Sequence, residues 1–303
     1  MKIISVINYK GGVGKTTLTA NIAGELAFRD YNVLMIDLDP QASLTFSFLK
    51  PDDWREKYAK SKTIREWFNL KSKNFNDLII VPEEVQKWLI DKGILNLVSS
   101  HLGLINVDLE LATMLGGANM QQNKQNFVKV HRLLLNGINQ LDKDKYDIIL
   151  IDCPPNFNIV TKNAIVASDF ILIPAKPDYL STMGIDYLQE SVKELVKDYN
   201  EYCKVKDEDI VEKIKPKLAG VVFTMVQYYA EEPISATRPF IAQTEILGQE
   251  NNFKIFENKL RENKTLFADA PQHGVPIVLS NNYRGIADEI KEFVTEFITK
   301  IKL

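Results

Sequence analysis

Cysteine is almost missing from the 303 residues: Cys153 and Cys203 are the only two, and they stand in no C-x-x-C or other metal-ligand spacing. They fit a reducing compartment and remove most zinc and iron–sulfur readings. Long apolar runs are missing too. No stretch approaches about eighteen uninterrupted apolar residues, so no transmembrane helix is expected. The opening MKIISVINYK is too short an apolar run for a signal peptide and reads as a buried strand. Nor is there an excess of positive charge: 37 lysines and arginines face 40 acids, a net charge of −3. That argues against an overall basic nucleic-acid binder and leaves room only for local basic patches. No internal repeat, low-complexity tract or dividing linker is visible. What remains is 45% apolar and 25% charged, enough chain to bury a large core without staples.

The apolar pattern points to an α/β protein. Residues 2–8, KIISVIN, form a β-branched run into a glycine loop. TLTANIAGELAFRD follows, with Leu18, Ile22, Leu26 and Ala27 at helical spacing, and then the strand NVLMIDLDP. Strand, helix, strand is a βαβ unit with a right-handed crossover and parallel pairing. Further strands are predicted at 95–100, 146–152, 170–175, 217–226 and 276–280. Their runs are continuous rather than alternating, as in strands covered on both faces. A doubly wound, mostly parallel sheet flanked by helices is expected, as one domain over 1–303. Residues 50–94 read as a mainly helical insertion holding Trp54, Trp67 and Trp88. These tryptophans either anchor the helices to the domain or mark a partner-binding lid. Residues 227–265 read as another polar, mainly helical stretch. The C-terminal segment aligns Ile286, Ile290, Phe293, Val294, Phe297, Ile298 and Ile301 on one helical face. Its polar face mixes acids with lysines, so packing on the sheet is expected over lying on a membrane.

The chemistry sits at the strand ends. In KGGVGKTT (10–17), Gly11, Gly12, Val13 and Gly14 supply backbone N–H groups that curl into an anion nest at a helix N-terminus. Lys15 supplies a point charge to the β- and γ-phosphates, the Thr16 hydroxyl a ligand for Mg²⁺, and Thr17 a donor to the α-phosphate. Two features exceed a generic loop. Tyr9 stands where the strict pattern has glycine, and Lys10 adds a cation ahead of the glycines. After the second strand, Asp37 and Asp39 face the crevice at the carboxyl ends of the sheet. Asp39 could orient or deprotonate an attacking water while Asp37 supports the Mg²⁺ shell. Alternatively, Asp37 caps the strand and Asp39 starts a turn with Pro40. YDIILIDCPPNF ends a third strand in Asp152, a carboxylate placed to hold Mg²⁺. Cys153 beside it is expected to face the core.

At KGGVGKTT, DLDPQAS (37–43) and DCPP (152–155) the sequence resembles the deviant-Walker P-loop ATPases of the ParA/MinD family, and DLDPQ points to the ParA, Soj-like branch. LVSSHLGLINVDLEL, IPAKPDYLSTMGIDYL and ADAPQHGVPIV extend the likeness over nearly the whole chain. The resemblance implies ATP and Mg²⁺ as cofactors, and slow hydrolysis stimulated by a partner. It makes Lys10 the signature lysine, which crosses an ATP-sandwich homodimer to the partner's phosphates. It makes Asp39 the switch I catalytic aspartate and Asp152 the Walker B residue. Adenine contacts are implied near Thr224 and Met225 and in the stretch before ADAPQHG, where KLRENKTLF departs from the family pattern.

It also implies non-specific DNA binding in the ATP state, a ParB-like or cargo-adaptor partner, and a cytoplasmic, nucleoid-associated protein acting in partition or cargo positioning. Candidate DNA contacts are Lys193, Lys197, Lys204, Lys206, Lys213, Lys215 and Lys217, with Arg238, Lys259, Arg261 and Lys264. No helix-turn-helix segment precedes the loop, so control of a specific operator is not expected. Two alternatives stay open: a MinD-like membrane-associated regulator, and a metabolic relative such as a nitrogenase-reductase-like protein or an amide-forming synthetase.

Overall fold

A computed structural model describes residues 1–203, 211–230, 232–251, 253–263, 270–280 and 284–303. Six strands form one parallel sheet: β1 (Lys2–Val6), β2 (Val33–Asp37), β3 (Leu95–Val98), β4 (Ile148–Asp152), β5 (Phe170–Ala175) and β6 (Lys217–Phe223). Their order is β3-β2-β4-β1-β5-β6. Every residue of β2, β3 and β4 is buried, as continuous apolar runs require when helices cover both faces. Parallel pairing puts all carboxyl ends on one edge. There the register sets Val6 opposite Asp152 and Asp37 opposite Asp152. The entrance to the glycine loop and two carboxylates therefore lie side by side.

Helices cover the sheet in chain order: α1 (Lys15–Phe28), α2 (Ser43–Phe46), α3 (Pro51–Lys57), α4 (Ile64–Phe68), α5 (Glu83–Gln86) and α6 (Leu104–Thr113). There follow α7 (Met120–His131), α8 (Leu133–Ile138), α9 (Ile159–Ala167), α10 (Tyr179–Tyr202), α11 (Arg238–Glu250) and α12 (Arg284–Ile301). Alternate strand residues feed opposite faces. Ile3 and Ile7 join the core under α6, α8, α9 and α10. Ile4 and Val6 join the core under α1 and α12. The apolar face of α12 is thus buried on the sheet, with Phe293 and Phe297 packed against Phe256. Arg29 ties α1 to α12 by donating to Lys291 O at 2.9 Å and Thr295 Oγ1 at 2.8 Å.

Two of the three tryptophans anchor the 50–94 segment. Trp67 is buried and its indole N–H donates to Leu133 O at 2.9 Å, while Trp54 donates to Ser99 Oγ at 3.1 Å beyond β3. Trp88 is 42% exposed and anchors nothing comparable. The sequence expectation fails in two places. Residues 276–280 form a 3₁₀ turn, Ile277–Leu279, rather than a strand. Pro276 has no N–H for a ladder, and the Val278 N–H is taken by Asn21 Oδ1 at 3.0 Å. Among the described residues of 227–265, α11 is the one helix. A two-residue hairpin, Tyr228–Tyr229 with Glu232–Pro233, precedes that helix, and extended chain bridging Val221 and Val226 follows it.

One buried group gives the fold a pH dependence. His131 closes α7, 1% exposed, with Nδ1 2.8 Å from Phe127 O. A carbonyl only accepts, so Nδ1 carries the proton, and Nε2 has no partner. Burial pushes the imidazole down from its ordinary 6.5 to about 4, against the pull of the Phe127 carbonyl. The unfolded chain therefore takes up a proton before the folded one does. The contribution is complete above pH 6.5 and is lost as pH falls towards 4. Its full value is about 3 kcal/mol. Urea unfolding of wild type and His131→Gln between these limits should show a steeper acid loss in wild type. Parallel losses would rule the assignment out.

Candidate functional site

Between β1 and α1 the chain turns through Gly12 at φ +67° and Gly14 at φ +79°, values that a side chain makes costly. A Cβ added at Gly11 or Gly12 would meet nothing within 4 Å, so the space above the loop is an open cradle. Gly14 caps α1 without a side chain, leaving the first N–H groups of the helix facing that cradle. Lys15 lies beneath it, 6% exposed, with Nζ donating to Asn8 O at 3.2 Å and Lys10 O at 3.1 Å. Burial drives its pKa down, and Asp152 works against that. The far end of β6 braces the loop, because Thr224 Oγ1 donates to Val13 O at 2.8 Å.

The carboxylates divide into two roles. Asp152 is fully buried, and its Oδ2 accepts the Thr16 hydroxyl at 2.7 Å. Its Oδ1 has no partner. Burial, then the nearby Asp37, push Asp152 well above the usual carboxylate range. Asp37 Oδ2 accepts the Thr45 N–H at 2.8 Å and the Thr45 hydroxyl at 2.7 Å, and its Oδ1 accepts the Asp39 N–H at 3.1 Å. Burial raises Asp37 to about 7. Both of its oxygens are thus engaged by the chain that follows β2. Asp39 projects from that anchored loop, half-buried, its carbonyl held by the Ser100 hydroxyl at 2.6 Å. The anchors Thr45 and Ser100 were not found in the sequence, where a hydroxyl beyond DLDPQ carries no motif.

Among the described residues no three His, Cys, Asp or Glu side chains gather into a metal cage. The donor set nonetheless fits Mg²⁺: a hydroxyl and a carboxylate with one bare buried oxygen, beside a phosphate cradle. Mg²⁺ is held by one or two carboxylates together with substrate phosphates rather than by an all-protein cage.

Lys10 lies outside this cluster. Its Nζ donates to both oxygens of Asp178, at 2.8 and 2.6 Å. Asp178 also caps α10 by accepting the Ser181 N–H at 2.9 Å. The sequence reading passed over Asp178. The order Asp-Tyr-Leu-Ser at the start of a helix is an N-cap signal, but nothing in it points to Lys10.

A cavity of about 170 Å³ opens beside Gly14 and Thr17, floored by Leu18, Met225, Leu260 and Ile290. Met225 sits there with φ +55°. Arg261, also a candidate DNA contact, is exposed and lines this cavity, paired with Glu289 and over the Tyr228 ring. Lys193 pairs with Glu190 and Arg238 with Glu232, and Lys259 bonds Glu257 O. Lys197, Lys213, Lys215 and Lys217 are exposed. Lys204, Lys206, Lys264 and the start of ADAPQHG lie outside the described residues. Cys153 faces the core as expected. No helix among the described residues is long and apolar enough to cross a membrane.

A family model described as an AAA domain matches residues 1–205. The chain is 34% identical to an uncharacterised protein of Methanocaldococcus jannaschii over 243 residues, 78% of each chain. It is 27% identical over 281 residues to the sporulation initiation inhibitor protein Soj of Bacillus subtilis, 92% of this chain and 90% of that one. Its fold is similar to that of apo McdA from Cyanothece, with a TM-score of 0.72 and 22% identity over 98% of this chain and 99% of that one. A variant of that McdA has also been solved as a complex with ATP. A glycine loop ahead of α1, an acid closing the central strand and a likeness that runs nearly end to end lead to one conclusion: the chain belongs to the ParA/MinD family of P-loop ATPases.

Proposed function

We propose that this ATPase is a dimerisation switch of the ParA type. It binds DNA non-specifically while loaded with ATP and serves plasmid or chromosome partition, or the positioning of another cargo. The observation that carries the reading is the separation of two lysines. Lys15 already serves the chain's own cradle from below. Lys10 stands apart at the head of α10, and its pair with Asp178 is open to solvent, the side chains being 31% and 39% exposed. Around it α10 shows an uncovered apolar stripe: Tyr179, Leu180, Met183 and Tyr187 are all exposed. A cation and an apolar surface beside a nucleotide crevice suit a second copy of the chain.

In this reading residues 1–303 form one ATPase domain. The loop N–H groups and Lys15 hold the phosphates, and the cavity at Thr224 and Met225 takes the base. Thr16 and Asp152 hold Mg²⁺, which supplies charge neutralisation at the β- and γ-phosphates. Asp37 fixes the loop, and Asp39 takes the proton of an aligned water or orients that water. Lys10 leaves Asp178 and neutralises phosphoryl charge across the dimer, as an arginine finger does, an effect worth about 10³–10⁵ in rate. A ParB-like or adaptor protein stimulates the step. Lys197, Lys213, Lys215 and Lys217 are the exposed cations that support DNA contact, which would weaken steeply with salt and would place the protein on the nucleoid. A membrane role has less support, since α12 buries its apolar face on the sheet.

Sizing with ADP and with ATP tests the switch. Wild type should dimerise with ATP only, and Asp39→Ala trapped with ATP should shift plasmid DNA at low salt. Lys10→Ala should keep nucleotide affinity and lose hydrolysis by about 10³ or more. ATP-independent size, or full hydrolysis by Lys10→Ala, would sink the reading. A separate measurement concerns the cation site. Asp152→Asn removes a buried carboxylate whose one hydrogen-bond partner is Thr16, but it also takes a countercharge from the buried Lys15, so the melting temperature of the nucleotide-free protein should change little. The same substitution should abolish the extra stabilisation that Mg²⁺ adds to ATP. An intact Mg²⁺ gain would exclude Asp152 as the cation's holder.

A further inference from the structure

Tyr9 interrupts the strict glycine pattern, and the structure gives it two contacts that no glycine could make. Its phenol donates to Ser191 Oγ on α10 at 2.7 Å, and the Ser191 hydroxyl donates in turn to Tyr187 O at 3.0 Å. Its ring lies 5.7 Å from that of Phe157, in the loop that follows Asp152. Burial raises the phenol's pKa, so it remains a donor. The residues on either side are fixed by other means. Asn8 Nδ2 donates to Pro174 O at 2.7 Å near the end of β5, and its Oδ1 accepts the Lys10 N–H at 2.8 Å. The Lys10 carbonyl accepts from Lys15.

Adjacent residues thus reach along α10 in two directions, Lys10 to Asp178 at its head and Tyr9 to Ser191. Thirteen positions of helix span about 20 Å. Two contacts that far apart on one rigid helix fix the direction of the backbone between them. A lysine side chain has rotatable bonds enough to wander, so its reach is only as well defined as the backbone that carries it.

We infer that Tyr9 is a positioning residue: the Tyr9–Ser191 strut, wedged against Phe157, sets the backbone from which Lys10 is presented to a second copy of the chain. This rests on the reading that Lys10 acts across a dimer. When Lys10 leaves Asp178, the strut stays and serves as its pivot.

The test compares Tyr9→Phe, Ser191→Ala and the double variant, each with Lys10 intact and with Lys10→Ala. Single-variant kcat should fall about threefold to tenfold, the net worth of one hydrogen bond. The double variant should fall no further than either single, since both remove the same contact. ADP affinity and melting temperature should stay near wild type. Added to Lys10→Ala, Tyr9→Phe should change the residual rate by less than about twofold, because the group it positions is gone. Additive losses overturn the strut, and so does an ADP affinity that falls in step with kcat. Wild-type kcat in Tyr9→Phe overturns the inference alone when Lys10→Ala is inactive. If Lys10→Ala hydrolyses normally, the dimer reading itself has failed.

Discussion

The hydrogen bond from the Thr16 hydroxyl to Asp152 joins the first turn of α1 to the last residue of the central strand β4. The geometry of the site depends on it. Asp152 is held there by parallel pairing with both β1 and β2, so it cannot retreat to water. Thr16 is its one hydrogen-bond partner, and the second carboxylate oxygen is bare. A buried carboxylate left half-paired is costly. The fold tolerates the cost where a cation and phosphates would remove it, which is how stability is traded at a functional site.

The same logic separates the other charged groups. Asp37 is buried as deeply as Asp152, yet three donors from the following loop satisfy it. It is therefore an anchor. Lys15 is buried under the cradle and keeps company with carbonyls and Asp152. Lys10 is less buried and pairs with a carboxylate that already caps a helix. An ion pair that accessible is worth little, so releasing Lys10 from Asp178 asks for far less energy than moving Lys15 would.

Much of this is legible in the sequence alone. Five strands were read within a few residues because a strand covered on both faces is an unbroken apolar run, and β5 was read to the residue. The glycine loop was legible because glycine takes the positive φ values seen at positions 12 and 14 with least strain. The amphipathic terminal helix was legible from its period. What escaped had no local signature. Asp178, Ser191 and Ser100 are ordinary polar residues whose partners stand far off in sequence, and Thr45 is a plain hydroxyl that reaches back to Asp37. Arg261 is an exposed cation as read, but its place on the rim of the cavity, set by the return of the chain past Val226, has no local signature. The 276–280 run has the composition of a strand, but its N–H groups were already committed to Asn21 and to its own turn.

The strand order also bears on how the protein is made. The first strand synthesised, β1, is a central one, and its two neighbours are β4 and β5. Those partners leave the ribosome only after nearly half and more than half of the chain has been translated. The glycine loop therefore emerges first but has no sheet to stand on until late, and its brace at Thr224 and the tie of α1 to Val278 come later still. Pairings this distant fold slowly and leave strands uncovered meanwhile. A nascent chain of this kind cannot complete its phosphate cradle until β4, β5 and Thr224 have all been made.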